Sequence, residues 1–190
     1  MNFIKKTLSE ISQNFTQLSE ECSTEINNAS LNIIDSLNKG GKIMFCGNGG
    51  SAADSQHLSA ELLGRYRINR EPLASIALST DTSTITAIAN DFSFDEIFAR
   101  QINALGKEGD ILYAISTSGK SKNIINAINT AKIKGINVIG VTGKNEADMK
   151  KICDILINVP SDRPDRIQEM HIAVGQIICE IVERHFFGNS

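Results

Sequence analysis

Hydrophobic positions divide the chain into two regimes. Up to residue 38 they recur every three or four residues: Phe3, Ile4, Leu8, Ile11, Phe15 and Leu18, then Ile26, Ala29, Leu31, Ile33, Ile34 and Leu37. That period lines one face of a helix and predicts helical structure over the first 38 residues. Lys39-Gly40-Gly41 supplies a stop. Because this segment precedes any strand, it is expected to pack as an extra layer or at a subunit interface.

From residue 40 the pattern changes. Short apolar runs at 42–46, 73–78, 111–115, 138–141 and 155–159 alternate with helical stretches near 51–66, 82–105, 121–134, 145–151 and 163–187. The length and β-branched content of the runs suit strands buried on both faces. The alternation predicts an α/β fold: one doubly wound, parallel, five-stranded sheet of flavodoxin-like type, with N-terminal helices and a long C-terminal helix. No fixed-period repeat, low-complexity tract or linker interrupts it. A single domain over 1–190 is expected, with a helical extension at 1–39 and the α/β core at 40–190.

Composition narrows the setting. The hydrophobic fraction of 41% and charged fraction of 22% are those of a soluble globular chain. The formal net charge is −3 and no cluster of Lys and Arg forms a footprint for nucleic acid. No stretch approaches the roughly 20 apolar residues of a membrane span, and the N-terminus lacks the apolar core of a signal peptide. Cys22, Cys46, Cys153 and Cys179 form no CxxC pair and mostly sit among apolar neighbours, as small buried hydrophobes do. A reducing, cytoplasmic location is expected.

In open parallel sheets ligands bind at the carboxyl ends of the strands. The loops there are the unusual ones. Cys46-Gly47-Asn48-Gly49-Gly50-Ser51 follows a strand and opens a helix, with Ser51 as the expected N-cap. It is either a tight turn or an anion site, and it is neither the GxGxxG fingerprint nor a P-loop. Ser116-Thr117-Ser118-Gly119-Lys120-Ser121 places four hydroxyls at another helix start, more than capping needs, which points to a phosphate dianion. His57 and Glu61 share a helical face at i, i+4, a spacing that serves a zinc-type metal site or an ordinary surface hydrogen bond. Asn90-Asp91 reads as a helix break with local capping. Asp165-Arg166-Ile167-Gln168-Glu169-Met170-His171 opens the last helix, with Arg166 and Glu169 read as a solvated turn or as part of a site.

Taken together, GNGGSAADSQHLSAELLGRYR, AND at 89–91, STSGKS and DRIQEMH resemble the phosphoheptose isomerases of the sugar isomerase (SIS) domain superfamily, nearly end to end. The resemblance implies an aldose–ketose isomerase that converts sedoheptulose 7-phosphate to D-glycero-D-manno-heptose 7-phosphate through an enediol, for lipopolysaccharide or capsule heptose. It implies a homotetramer with active sites between subunits and one zinc ion per site. Carried over, Ser116, Thr117, Ser118 and Ser121 hold the phosphate. Asn48, Gly49, Gly50, Ser51, Asn90 and Asp91 line the sugar site, with Arg65, Asp165 and Gln168. Glu61 is the catalytic base and also binds substrate and metal, with His57 and Gln168 as further ligands. One position departs from the pattern: Gln176 stands where the family has a histidine serving as fourth ligand and second proton-transfer group. An amide oxygen can coordinate a metal but has no pKa suited to acid–base work. That departure leaves a rival expectation, a non-catalytic sugar-phosphate-binding regulator or scaffold similar to the protein that associates with the bacterial replication initiator.

Overall fold

The computed structural model describes residues 1–145 and 148–188. Two helical segments, α1 (Asn2–Glu21) and α2 (Ser23–Asn38), lead into β1 (Ile43–Gly47) and α3 (Gly50–Leu63). Then come β2 (Ser75–Ala77), α4 (Thr82–Asp91), a 3-10 turn (Phe94–Glu96), α5 (Ala99–Leu105) and β3 (Ile111–Ile115). The chain closes with α6 (Lys122–Ile133), β4 (Asn137–Thr142), α7 (Met149–Ile152), β5 (Ile155–Asn158) and α8 (Pro164–Phe187).

The five strands form one sheet in the order β2-β1-β3-β4-β5, every pairing parallel. This is the doubly wound arrangement that the strand–helix alternation predicts. Successive side chains of a strand point to opposite faces, and two apolar layers result. Ile43, Phe45, Ile111, Tyr113, Ile139 and Val141 pack under α2, α3 and α8. Met44, Cys46, Leu112, Ala114 and Val138 pack under α5 and α6 on the other face. The order reverses between β1 and β3, which therefore carry the switch-point loops.

Several boundaries differ from the sequence reading. The stretch 82–105 is not one helix: α4 stops at Asp91, and Ser93 is fully extended before the 3-10 turn. The break lets Ile97, Phe98 and Ile102 dive into the core while α4, which buries no residue, stays at the surface. The strand expected over 73–78 shrinks to three residues, and the helix expected over 51–66 ends at Leu63. Of the helix expected over 145–151, residues 146–147 lie outside the described residues; the described part is α7. The apolar face of α1 is used only at its far end. Leu18 is buried, whereas Phe3, Ile4 and Leu8 are exposed. No helix among the described residues is long and apolar enough to cross a membrane.

Candidate active site

The glycine loop turns from β1 into α3 in very little space. Gly49 has φ +56, a left-handed conformation that favours glycine, and it is itself the N-cap of α3. Ser51, expected as the cap, is instead buried in the first turn, and no side chain caps this helix. The loop after β3 has the same property. Ser121 occupies the N-cap of α6 in extended backbone, yet makes no side-chain cap. Its Oγ accepts a hydrogen bond from Ser116 Oγ at 3.2 Å. The helix start thus keeps uncapped N–H groups beside a set of hydroxyls, the combination that holds an anion. Thr117 and Ser118 open onto a cleft of about 200 Å³ that Lys120, Lys144 and Ser161 also line.

Two side chains fuse these loops. Asn48 Nδ2 donates to Asn123 Oδ1 at 2.9 Å, and Asn123 Nδ2 donates to Asn48 Oδ1 at 2.8 Å. The Asn48 amide is therefore committed to protein, and Asn123, absent from the sequence reading, is the residue that joins β1's loop to β3's. No motif marks it; only its place two residues past Ser121 hints at the loop.

Further residues arrive on α3 and α8. His57 Nε2 and Glu61 Oε1 lie 3.0 Å apart, with side chains 50% and 20% exposed. One turn before His57, Asp54 holds a buried Oδ2 that has no hydrogen-bond partner among the described residues, and burial pushes its carboxyl up to about 6, against the opposing pull of His57. Gln168 packs directly on the glycine loop: a Cβ at Gly50 would come within 2.7 Å of its Nε2. Farther along, a Cβ at Gly175 would meet Leu58 Cδ1 at 2.4 Å. Along this contact α3 and α8 thus advance together. Gln168 sits at the level of the loop, about 10 Å along α3 from His57. Gln176 sits two turns on, at the level of His57 and Glu61.

The remaining candidates lie apart. Asn90 and Asp91 end α4, are exposed, and bond to each other at 2.8 Å. Arg65 is exposed just beyond α3. Asp165 accepts from Arg163 at 2.8 Å and from Arg166 at 3.1 Å in the first turn of α8. Arg166 is buried, not solvated; it pairs with Glu169 at 3.0 Å, and among the described residues its Nε and Nη1 have no partner. Among the described residues no group of three or more His, Cys, Asp or Glu could hold a metal. A cation here would need amide oxygens as well. An imidazole, a carboxylate and glutamine carbonyls form a donor set that suits a divalent ion, and His57, Glu61 and Gln176 share one level of the helix contact.

The SIS domain family matches residues 8–143. The chain is 53% identical over 163 residues to the phosphoheptose isomerase of Rhodospirillum rubrum, covering 86% of this chain and 87% of that protein. It is 45% identical over 186 residues to that of Akkermansia muciniphila, covering 98% of each. The solved phosphoheptose isomerase of Neisseria gonorrhoeae aligns with TM-score 0.91 at 38% identity, covering 96% of this chain and 97% of that one. The one from Francisella tularensis aligns with TM-score 0.93 at 35% identity and the same coverage.

Proposed function

The chain belongs to the phosphoheptose isomerases of the SIS domain family, and from that membership we propose that it interconverts sedoheptulose 7-phosphate and D-glycero-D-manno-heptose 7-phosphate. The observation that carries this reading is the joined pair of switch-point loops. One offers hydroxyls and an uncapped helix start to a phosphate; the other opens the helix that bears Glu61.

The phosphate dianion sits against Ser116, Thr117, Ser118 and Ser121, where N–H groups and hydroxyls replace its hydration. Glu61 takes the proton from C1 of the ketose. The electrons move into C1–C2 as the C2 carbonyl becomes an enediol hydroxyl. Glu61 then returns the proton to C2, and the C1 hydroxyl becomes the aldehyde. The transfer between the two oxygens passes through water or a hydroxyl, since Gln176 cannot relay it. By family resemblance a divalent ion, zinc, would be held by His57, Glu61, Gln168 and Gln176 and would polarise the carbonyl; of these, His57, Glu61 and Gln176 share one level of the helix contact, and Gln168 stands toward the glycine loop. The active assembly is a cytoplasmic homotetramer with sites between subunits. The unburied α4 with Asn90 and Asp91, and the exposed Phe3, Ile4 and Leu8, support that arrangement. The non-catalytic reading rests on Gln176 alone.

The test is turnover of sedoheptulose 7-phosphate in D₂O by the metal-loaded protein. Deuterium at C2 of the aldose is expected; binding without turnover or exchange would reject the isomerase. Gly50→Ala places a methyl group against the Gln168 amide. It is expected to lower kcat/KM about tenfold with little change in melting temperature, since that amide can swing aside at small packing cost. Gln176→His is expected to tighten zinc binding about tenfold or more, because imidazole is the better zinc ligand. Metal retained on dialysis against a chelator measures it, and unchanged retention would remove Gln176 from the ligand set.

A further inference from the structure

Arg70 lies between α3 and β2, in a segment that carries none of the family motifs read from the sequence. Its side chain is 1% exposed. The guanidinium gathers the end of α3. Nη2 donates to the carbonyl of Glu61 at 2.7 Å, and Nη1 to the carbonyls of Leu62 at 2.8 Å and Glu71 at 2.9 Å. Helix ends leave carbonyls such as those of Glu61 and Leu62 without intrahelical partners, and here Arg70 serves both, joined at Leu62 by the Leu73 N–H at 3.0 Å. Nε donates to Glu183 Oε2 at 3.0 Å, 113 positions away on α8. Phe187 lies under the guanidinium, 5.6 Å from ring centroid to Cζ.

Glu183 is equally enclosed, with a side chain 5% exposed. Its carboxylate also accepts from the backbone N–H groups of Tyr66 at 3.0 Å, Arg67 at 2.8 Å and Ile68 at 3.3 Å. Burial alone would raise its carboxyl; these N–H groups and Arg70 hold it below the ordinary range. The segment just after α3, with Arg65 at its start, is thereby pinned to α8.

We propose that Arg70, anchored by Glu183, is a positioning residue for Glu61: it fixes the last turn of α3 and so the direction in which the Glu61 carboxylate is presented. The inference rests on the reading of Glu61 as the base. A buried ion pair contributes little net stability compared with apolar packing, whereas a planar fork bonded to several carbonyls fixes geometry that an ammonium cannot reproduce. Misplacement of a catalytic group by about 1 Å can cost on the order of 10²-fold in rate.

The experiment compares kcat and KM for sedoheptulose 7-phosphate in wild type, Arg70→Lys, Glu183→Gln and Arg67→Gln, with folding checked by thermal melting. Arg67 provides the control, since its side chain is 61% exposed, pairs with Glu180 at the rim and lies over the Tyr66 ring, away from the α3 carbonyls that Arg70 serves. Arg70→Lys is expected to lower kcat ten- to hundredfold per folded protomer with KM changed less than threefold. Glu183→Gln, the milder variant that keeps an acceptor in place, is expected to do the same to a smaller extent, and Arg67→Gln to change neither. Variants whose loss is wholly a smaller folded fraction, with kcat per folded protomer unchanged, would overturn the proposal. Wild type that fails to turn over would instead overturn the isomerase reading, and this inference with it.

Discussion

Glu61→Gln is expected to lower kcat by about 10²–10⁴-fold while the sugar phosphate still binds. The exchange keeps the size of the side chain and its contact with His57, 3.0 Å away in the native protein. It removes the group that an enediol mechanism needs there to take and return a proton near neutral pH, and it leaves an amide oxygen in the place of a carboxylate ligand. The phosphate loop is untouched, so affinity measured calorimetrically with sedoheptulose 7-phosphate should change little. Deuterium incorporation at C2 should fall in parallel with turnover. If the variant retained more than about a tenth of wild-type kcat, another residue would have to be the base.

Acid is expected to weaken the fold through His171. This residue is 1% exposed on α8, and among the described residues neither ring nitrogen makes a well-formed hydrogen bond. Burial pushes its pKa down to about 4, only partly opposed by the Thr142 backbone. In the unfolded chain the imidazole titrates near 6.5. Above that both states are neutral and pH has no effect through this group. Between about 6.5 and 4 the unfolded state takes up a proton that the folded state refuses, so stability falls as pH falls, by about 3 kcal/mol in all. Denaturant midpoints for wild type and His171→Phe at pH 7 and 4.5 isolate this from the carboxylates. The variant should lose less stability on acidification; equal losses would mean that His171 is not the titrating group.

Much of the fold was legible because parallel strands are apolar on both faces. The runs at 111–115 and 138–141 are continuous, and they became β3 and β4 almost unchanged. The 82–105 stretch misled because its apolar positions keep helical spacing across Phe92 and Ser93. Burial decides the break, and spacing does not encode it. At the site, what lies within one loop could be read: the hydroxyls, the glycines, the His57–Glu61 pair. What depends on two distant segments could not. The bond of Asn48 to Asn123, the seat of Gln168 on Gly50 and the Arg70–Glu183 pair all join elements that meet only after folding.

The mutual amide clamp between Asn48 and Asn123 has a chemical consequence for ageing. Asn48 is followed by Gly49, a dipeptide that in a loose chain loses ammonia by ring closure through the next backbone nitrogen, and asparagine is among the thermolabile residues. With its carboxamide held on both sides, the residue is kept from that attack. Should conversion to aspartate occur, the clamp would lose a donor and a new negative charge would stand close to the hydroxyl-lined start of α6.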